Sequence, residues 1–270
     1  MQIHEFSLPT GAKAFAYLHD DSPQMLSDYA KKRPAIIICP GGAYQHLSAR
    51  ERDVPAFTFL NMGLQVVILE YSVEEKAGGK RPLEEAARCM KWIRDNAQQW
   101  RVDPDKIFIC GFSAGGHLAA SLGVHWDDPE IAQRCGVADA RYLRPDGLIL
   151  AYPVITDGEF AHVDTQKAVS ADTDVPERYW SLETQVTADT PATFLWHTVE
   201  DNAVPVENGF LFMQALRRVG VNCEAHFFAK GRHGLSMCTR EIDVHNEAAV
   251  EWVTLCRNWI ETLYGPLGGR

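Results

Sequence analysis

The chain has 270 residues, 46% of them hydrophobic, and a formal net charge of −10. That is enough apolar material for one large core, and the negative balance argues against a nucleic-acid surface built from clustered Lys and Arg. The apolar runs all fall short of the ~18 residues of a membrane span, which argues against a membrane partner.

One α/β domain over residues 1–270 is therefore expected. The seven cysteines are scattered without CxxC spacing, and no apolar leader follows Met1. They read as reduced, buried thiols of a cytoplasmic protein. Lys31-Lys32-Arg33 reads as a solvated loop.

Residues 3–18 alternate weakly and suit an edge hairpin. Residues 35–39 of "RPAIIICPGGAY" are continuously apolar, the pattern of a strand covered on both faces, and Pro40-Gly41-Gly42 stops it. A second such strand covers 65–71. Pro82 then opens a helix whose buried face carries Leu83, Ala86, Ala87, Met90 and Ile93. Strand 107–110 leads into "GFSAGGHLA" and a helix over 114–122. Further strands are expected around "DGLILAYPVI", at 193–197 and in "NCEAHFF", with a helix closing on Gly220 between the last two. A final helix covers 246–263.

Buried strands alternating with helices imply an α/β fold: a mostly parallel central sheet with helices on both faces. Residues 155–191 break the rhythm. About 35 residues are too few for a core of their own, so they read as a short cap insertion over the carboxyl edge of the sheet. Ligands of open α/β sheets bind at that edge.

Gly111-Phe112-Ser113-Ala114-Gly115 matches G-x-S-x-G. Composition alone produces that pattern in roughly one chain in ten of this size, so context decides. Here it follows a buried strand and opens a helix, as a nucleophile elbow requires. The tight turn forces the serine into an unfavourable backbone region, and the flanking glycines relieve the clashes. The plain alternative is a glycine-lined turn with a solvent-facing serine.

A serine hydroxyl needs a base, and the base needs a carboxylate. In an elbow of this kind the carboxylate follows first and the histidine last. Asp201, in the loop after strand 193–197, is the candidate carboxylate; Asp189 and Asp157 stand behind it, and Glu200 should point elsewhere. His233, in a glycine-bracketed loop after the last strand, is the candidate base. Its rivals are His226 and His197, while His117 should pack beneath the elbow. The oxyanion donors expected are the amides of Ala114, Gly42 and Ala43.

"PGGAY", "DPDKIFICGFSAGGHLA", "TVEDNAVPVENG" and "GRHG" occur in that order. Together they resemble the α/β-hydrolase fold, closest to hormone-sensitive-lipase-like esterases and, within these, to small bacterial acetyl-xylan-esterase-like proteins (carbohydrate esterases). The resemblance runs from about residue 35 to 258. Pro40-Gly41-Gly42-Ala43 stands where the lipase-like branch has His-Gly-Gly-Gly, and that branch's helical N-terminal cap is not evident. The sugar-ester subgroup is thus the nearer analogy. The resemblance implies Ser113, Asp201 and His233 as a triad, Gly42, Ala43 and Ala114 as oxyanion donors, and no cofactor or metal.

The expected activity is hydrolysis of small carboxylic esters through an acyl-enzyme, with an acetylated sugar as preferred small-molecule substrate. Tyr44, Tyr179 and Trp180 are candidates for stacking on sugar rings; core or lid packing is their plain alternative. Two other readings stand beside this one: an amidase or peptidase such as a formamidase using the same triad, and a non-catalytic binding protein on the same scaffold. A homodimer would use an edge strand or an apolar stripe on the last helix.

Overall fold

The computed structural model describes residues 1–20, 22, 24–25, 27–172, 174–242 and 246–269. Its strands are β1 (Gln2–Ser7), β2 (Lys13–Leu18), β3 (Arg33–Cys39), β4 (Gln65–Glu70), β5 (Val102–Phe112), β6 (Gly147–Ala151), β7 (Ala192–Thr198) and β8 (Cys223–Phe228). They form one sheet in the order β1, β2, β4, β3, β5, β6, β7, β8. The β1–β2 hairpin joins antiparallel to β4, and every pairing from β4 to β8 is parallel.

The helices are α1 (Asp28–Lys31), α2 (Asp53–Asn61), α3 (Arg81–Asp95), α4 (Ala97–Trp100), α5 (Ala114–His125), α6 (Pro129–Cys135), α7 (Val163–Ser170), α8 (Glu207–Arg218) and α9 (Trp252–Tyr264). Two apolar layers result. Ile37, Ile109, Leu148, Leu150 and Leu195 face α3, α5, α6 and α8. Ile36, Ile38, Phe108, Ile149 and Phe194 face α2 and α9. Covering both faces erases the polar alternation of a half-exposed strand, which is why these strands read as unbroken apolar runs.

From β3 the chain steps outward to β4, then returns to β5 on the other side. The carboxyl ends of β3 and β5 therefore diverge at a topological switch point, where the covering loops leave a crevice. "CPGGAY" follows β3 and Ser113 follows β5, so both motifs meet there.

The structure differs from the sequence expectations at several points. Arg33 is buried, not solvated: it opens β3, donates to the carbonyl of Gly63 at 3.0 Å and lies over the Tyr29 ring. α2 was not legible because it lacks a one-sided apolar stripe; it buries Pro55, Ala56 and Phe59 but leaves Phe57 exposed. α6 and α7 are too short to show a period. Much of the apolar stripe of α9 is spent inside the molecule, with Trp252, Cys256, Trp259 and Ile260 in the core and Leu263 left exposed.

The 155–191 segment, described apart from residue 173, is more anchored than an irregular cap. It carries α7, and its Tyr179 and Trp180 pack into the core. Tyr179 stacks on His125 at 3.8 Å between ring centres and 2° between planes. Its hydroxyl donates to Asp128 Oδ2 at 2.7 Å, the oxygen that also receives Lys80 Nζ. Asp128 Oδ1 meanwhile caps α6 through the amides of Glu130 and Ile131. No helix among the described residues is long and apolar enough to cross a membrane. All seven cysteines are free, and burial raises several of their thiols, Cys135 to about 11.

Burial pushes the Asp128 carboxyl up, but its bonds from Lys80 and Tyr179 outweigh this and hold it below the usual aspartate range. A depressed folded value contributes stability above the unfolded value of about 3.9, and the contribution is lost as pH falls through the folded one. Asp128→Asn should therefore lower stability by about 1–3 kcal/mol near pH 7, because Lys80 then keeps only the more exposed Glu130, 3.0 Å away, as its charge partner. The gap should shrink toward pH 2. Urea unfolding of both proteins across that range measures it.

Candidate active site

Ser113 ends β5 and precedes α5 with φ 54° and ψ −118°. A non-glycine residue holds such a conformation only when its surroundings over-determine it. Three backbone hydrogen bonds do so: its amide donates to Ala151, and its carbonyl receives the amides of His117 and Val154. A Cβ at Gly111 would lie 2.0 Å from the carbonyl oxygen of Gly115. One at Gly115 would lie 2.1 Å from that of Cys39 and 2.4 Å from that of Pro40. The two glycines of the motif thus let the elbow close on itself and let the end of β3 press against it.

His233 reaches this serine. Its Nε2 lies 2.8 Å from Ser113 Oγ, and its Nδ1 lies 2.7 Å from Asp201 Oδ2. With Nδ1–H donating to the carboxylate, Nε2 is left to accept from the serine hydroxyl. The Asp201 side chain is fully buried and saturated. Oδ1 accepts the amides of Ala203 and Val204 at 3.0 and 2.9 Å, and Oδ2 also receives His197 Nε2 at 3.2 Å. Burial alone would raise this carboxyl; the bonds from His197 and His233 overcome that and hold it well below the usual range, so it stays charged.

β8 lies three strands from β5, about 14 Å at ~4.8 Å per strand. The loop after β8 must therefore run back across the sheet. Ser236 pins it there: its amide donates to the Tyr152 hydroxyl at 2.7 Å, and its carbonyl accepts from Trp252 Nε1 at 3.1 Å. The Tyr152 ring meets His233 edge-on at 5.1 Å.

The other carboxylates considered are placed elsewhere. Glu200 pairs with Lys230, Asp157 lies 3.7 Å from Arg178, and the Asp189 side chain is exposed. His226 bonds Glu224 on the edge strand. His117 is fully buried beneath the elbow, where desolvation lowers it to about 4 and keeps it neutral. It accepts from the Tyr44 hydroxyl at Nδ1 and donates to Trp180 O from Nε2, at 3.2 and 3.3 Å.

The amides of Gly42, Ala43 and Ala114 find no backbone acceptor among the described residues. The Gly41 amide does not share that freedom: it donates to Glu51 Oε2 at 2.9 Å. Gly42, Ala43 and Tyr44 follow with φ of 124°, 57° and 58°, three left-handed residues in a row. Free donors from this loop and from the first turn of α5 give a developing anion fixed partners.

A cleft of about 360 Å³ opens above Ser113 and His233. Its wall is polar, with His46, Arg50, His162, Asn202 and Arg232. Tyr44, Tyr179 and Trp180 are not on it. All three are buried, Tyr44 between Tyr71 and His117 and the other two against His125, so no ring face is open for stacking. The insertion contributes His162 instead. It caps α7 through Nδ1, and burial with the nearby His233 lowers it.

Sequence reasoning also missed Glu51 and Tyr152. Glu51 sits in the charged run "SARERD", which reads as solvated surface. Tyr152 directly follows β6 at the carboxyl edge, and that position was the available signal. Among the described residues, no group of three His, Cys, Asp or Glu side chains is arranged to hold a metal ion.

Residues 24–155 match the BD-FAE family model. The chain is 39% identical over 84% of its length to endo-1,4-beta-xylanase B of Butyrivibrio fibrisolvens, and 26% identical over 95% to an acetylxylan esterase of Xylanibacter ruminicola. It spans only 35% and 52% of those two proteins. A crystal structure of an acetyl ester-xyloside bifunctional hydrolase from Caldicellulosiruptor lactoaceticus superposes with a TM-score of 0.81 at 34% identity, covering 96% of this chain and 90% of that one.

The elbow geometry generates a direct expectation. Gly115→Ala should cost at least about 3 kcal/mol, because the added carbon meets only backbone and cannot be accommodated by a side-chain turn. Gly136→Ala, at φ 66° with nothing within 4 Å, should cost only about 1 kcal/mol. Thermal denaturation of the two variants side by side gives the comparison.

Proposed function

We propose, from the premise that this chain belongs to the α/β-hydrolase-fold esterases of the acetyl-xylan-esterase-like branch, that it hydrolyses small carboxylic esters through an acyl-enzyme on Ser113. The observation that carries the reading is the 2.8 Å approach of His233 Nε2 to Ser113 Oγ, with a buried, charged Asp201 behind the ring.

Ser113 Oγ attacks the acyl carbon as its proton passes to His233 Nε2. The carbonyl oxygen takes up the negative charge and is met by the amides of Gly42, Ala43 and Ala114. Asp201 holds the imidazole in the required tautomer and stabilises its charged form. His233 then gives the proton to the leaving alcohol as the carbon–oxygen bond breaks. Water, losing a proton to the same nitrogen, attacks the acyl-enzyme and releases the acid and the free serine.

An acetyl group on a sugar is the substrate this reading prefers. Two things support it. The names of the relatives include acetylxylan and acetyl ester-xyloside activities. The cleft wall offers imidazole, amide and guanidinium groups, which suit a hydroxyl-rich alcohol better than a long acyl chain. Recognition of the sugar then rests on hydrogen bonds, not ring stacking.

Purified protein should release acetate from acetylated xylo-oligosaccharides. Rates on p-nitrophenyl esters should fall steeply beyond butyrate. Ser113→Ala should remove nearly all turnover, and Asp201→Asn should lower kcat by about 10⁴-fold. Undiminished turnover in Ser113→Ala would overturn the acyl-enzyme; fast cleavage of long-chain esters with none of acetylated sugars would overturn the substrate.

A further inference from the structure

Glu51 is 3% exposed, and no Lys or Arg among the described residues bonds it. A buried carboxylate served only by neutral donors is costly to keep. Its two oxygens face opposite ways. Oε2 accepts the Gly41 amide at 2.9 Å, at the base of the left-handed 42–44 run. Oε1 accepts the Tyr152 hydroxyl at 2.8 Å.

That hydroxyl accepts in turn from the Ser236 amide, in the loop that carries His233. A second strut closes the ring: Ser236 Oγ donates to the carbonyl of Arg50, the residue before Glu51, at 2.6 Å. Tyr152 and Ser236 themselves hold φ of 38° and 48°. Two corners of this hydrogen-bonded ring, Tyr152 and Ser236, are thus strained, and the Gly41 bond ties the ring to the left-handed 42–44 run on the other side of Ser113. Left-handed backbone at non-glycine positions persists only where the surroundings impose it.

We propose that Glu51 is a positioning residue for the reaction. Its carboxylate holds the Gly41–Tyr44 loop in its strained shape and, through Tyr152, locks that loop to the one bearing His233. By capturing the Gly41 amide it also leaves the amides of Gly42 and Ala43 as the loop's donors. The clamp acts on the donor side of the site and not on the serine itself. The inference rests on the acyl-transfer reading above, and it makes the spacing between oxyanion donors and base depend on a residue at the cleft wall whose bonds go to Gly41 and Tyr152 and not to Ser113 or His233.

The test compares Glu51→Ala, Glu51→Gln and Tyr152→Phe with the parent protein on p-nitrophenyl acetate, with Ser113→Ala as control. Loss of the clamp should lower kcat about 100-fold in Glu51→Ala, the scale of losing one oxyanion donor, with KM within about threefold. Glutamine keeps one acceptor for Gly41 and should restore most of the loss. Tyr152→Phe, which cuts only the link, should fall between. Phosphonate labelling of Ser113 should slow in parallel with kcat. A merely structural carboxylate would shift the melting temperature and leave kcat within twofold in every folded variant, which would overturn the proposal. If Glu51→Ala does not fold, the same criterion is applied to Glu51→Gln and Tyr152→Phe. Activity surviving in Ser113→Ala would instead overturn the acyl-enzyme, a separate outcome.

Discussion

The backbone of Ser113 stands at φ 54° and ψ −118°, and the site is arranged around keeping it there. The strain lifts the hydroxyl off the sheet and turns the next amides of α5 toward the same space. It is tolerated because Gly111 and Gly115 carry no Cβ where backbone approaches within about 2 Å of that position. The contact of Gly115 with the carbonyls of Cys39 and Pro40 does two things at once. It packs α5 against β3, and it delivers the glycine-rich loop after β3 to the side of the serine. The Ser113 hydroxyl and the free amides of that loop are thereby placed by one backbone contact.

Charge is handled differently at two buried groups. Asp201 keeps its charge because four donors saturate it. His117 gives its charge up, since burial lowers it to about 4 and its neighbours suit the neutral ring. Each state follows from the donors and acceptors within reach, not from depth alone. His197 belongs to the same logic. It stands on β7, two strands across the sheet from β5, and shares Asp201 with His233.

The aromatic residues near the site serve the scaffold. Tyr44 bridges the strained loop to His117, while Tyr179 and Trp180 fasten the insertion to α5. The cleft is left with a polar lining, to which the insertion adds His162. A segment that reads as irregular and polar is thus held by two buried rings and a Lys80–Asp128–Tyr179 cluster, and so can present one imidazole at a defined place.

Strand 35–39, the elbow at Ser113 and the chain order of Asp201 and His233 were all legible in the amino-acid sequence. Each depends on neighbours within a few residues: an unbroken apolar run, glycines two positions either side of a serine, a polar loop directly after a strand. α2 escaped because its apolar residues do not fall on one face, and Arg33 because its acceptor, Gly63, lies thirty residues away. The link between Glu51 and Tyr152 escaped for the same reason: the two are 101 positions apart, and the place of Tyr152 after β6 does not name its partner. What the sequence by itself determined was which strands are buried and which side chains stand at their carboxyl ends. Only the tertiary structure decided which of those side chains touch, because a bond across three strands of a sheet is set by how the loops fold back and not by any local pattern.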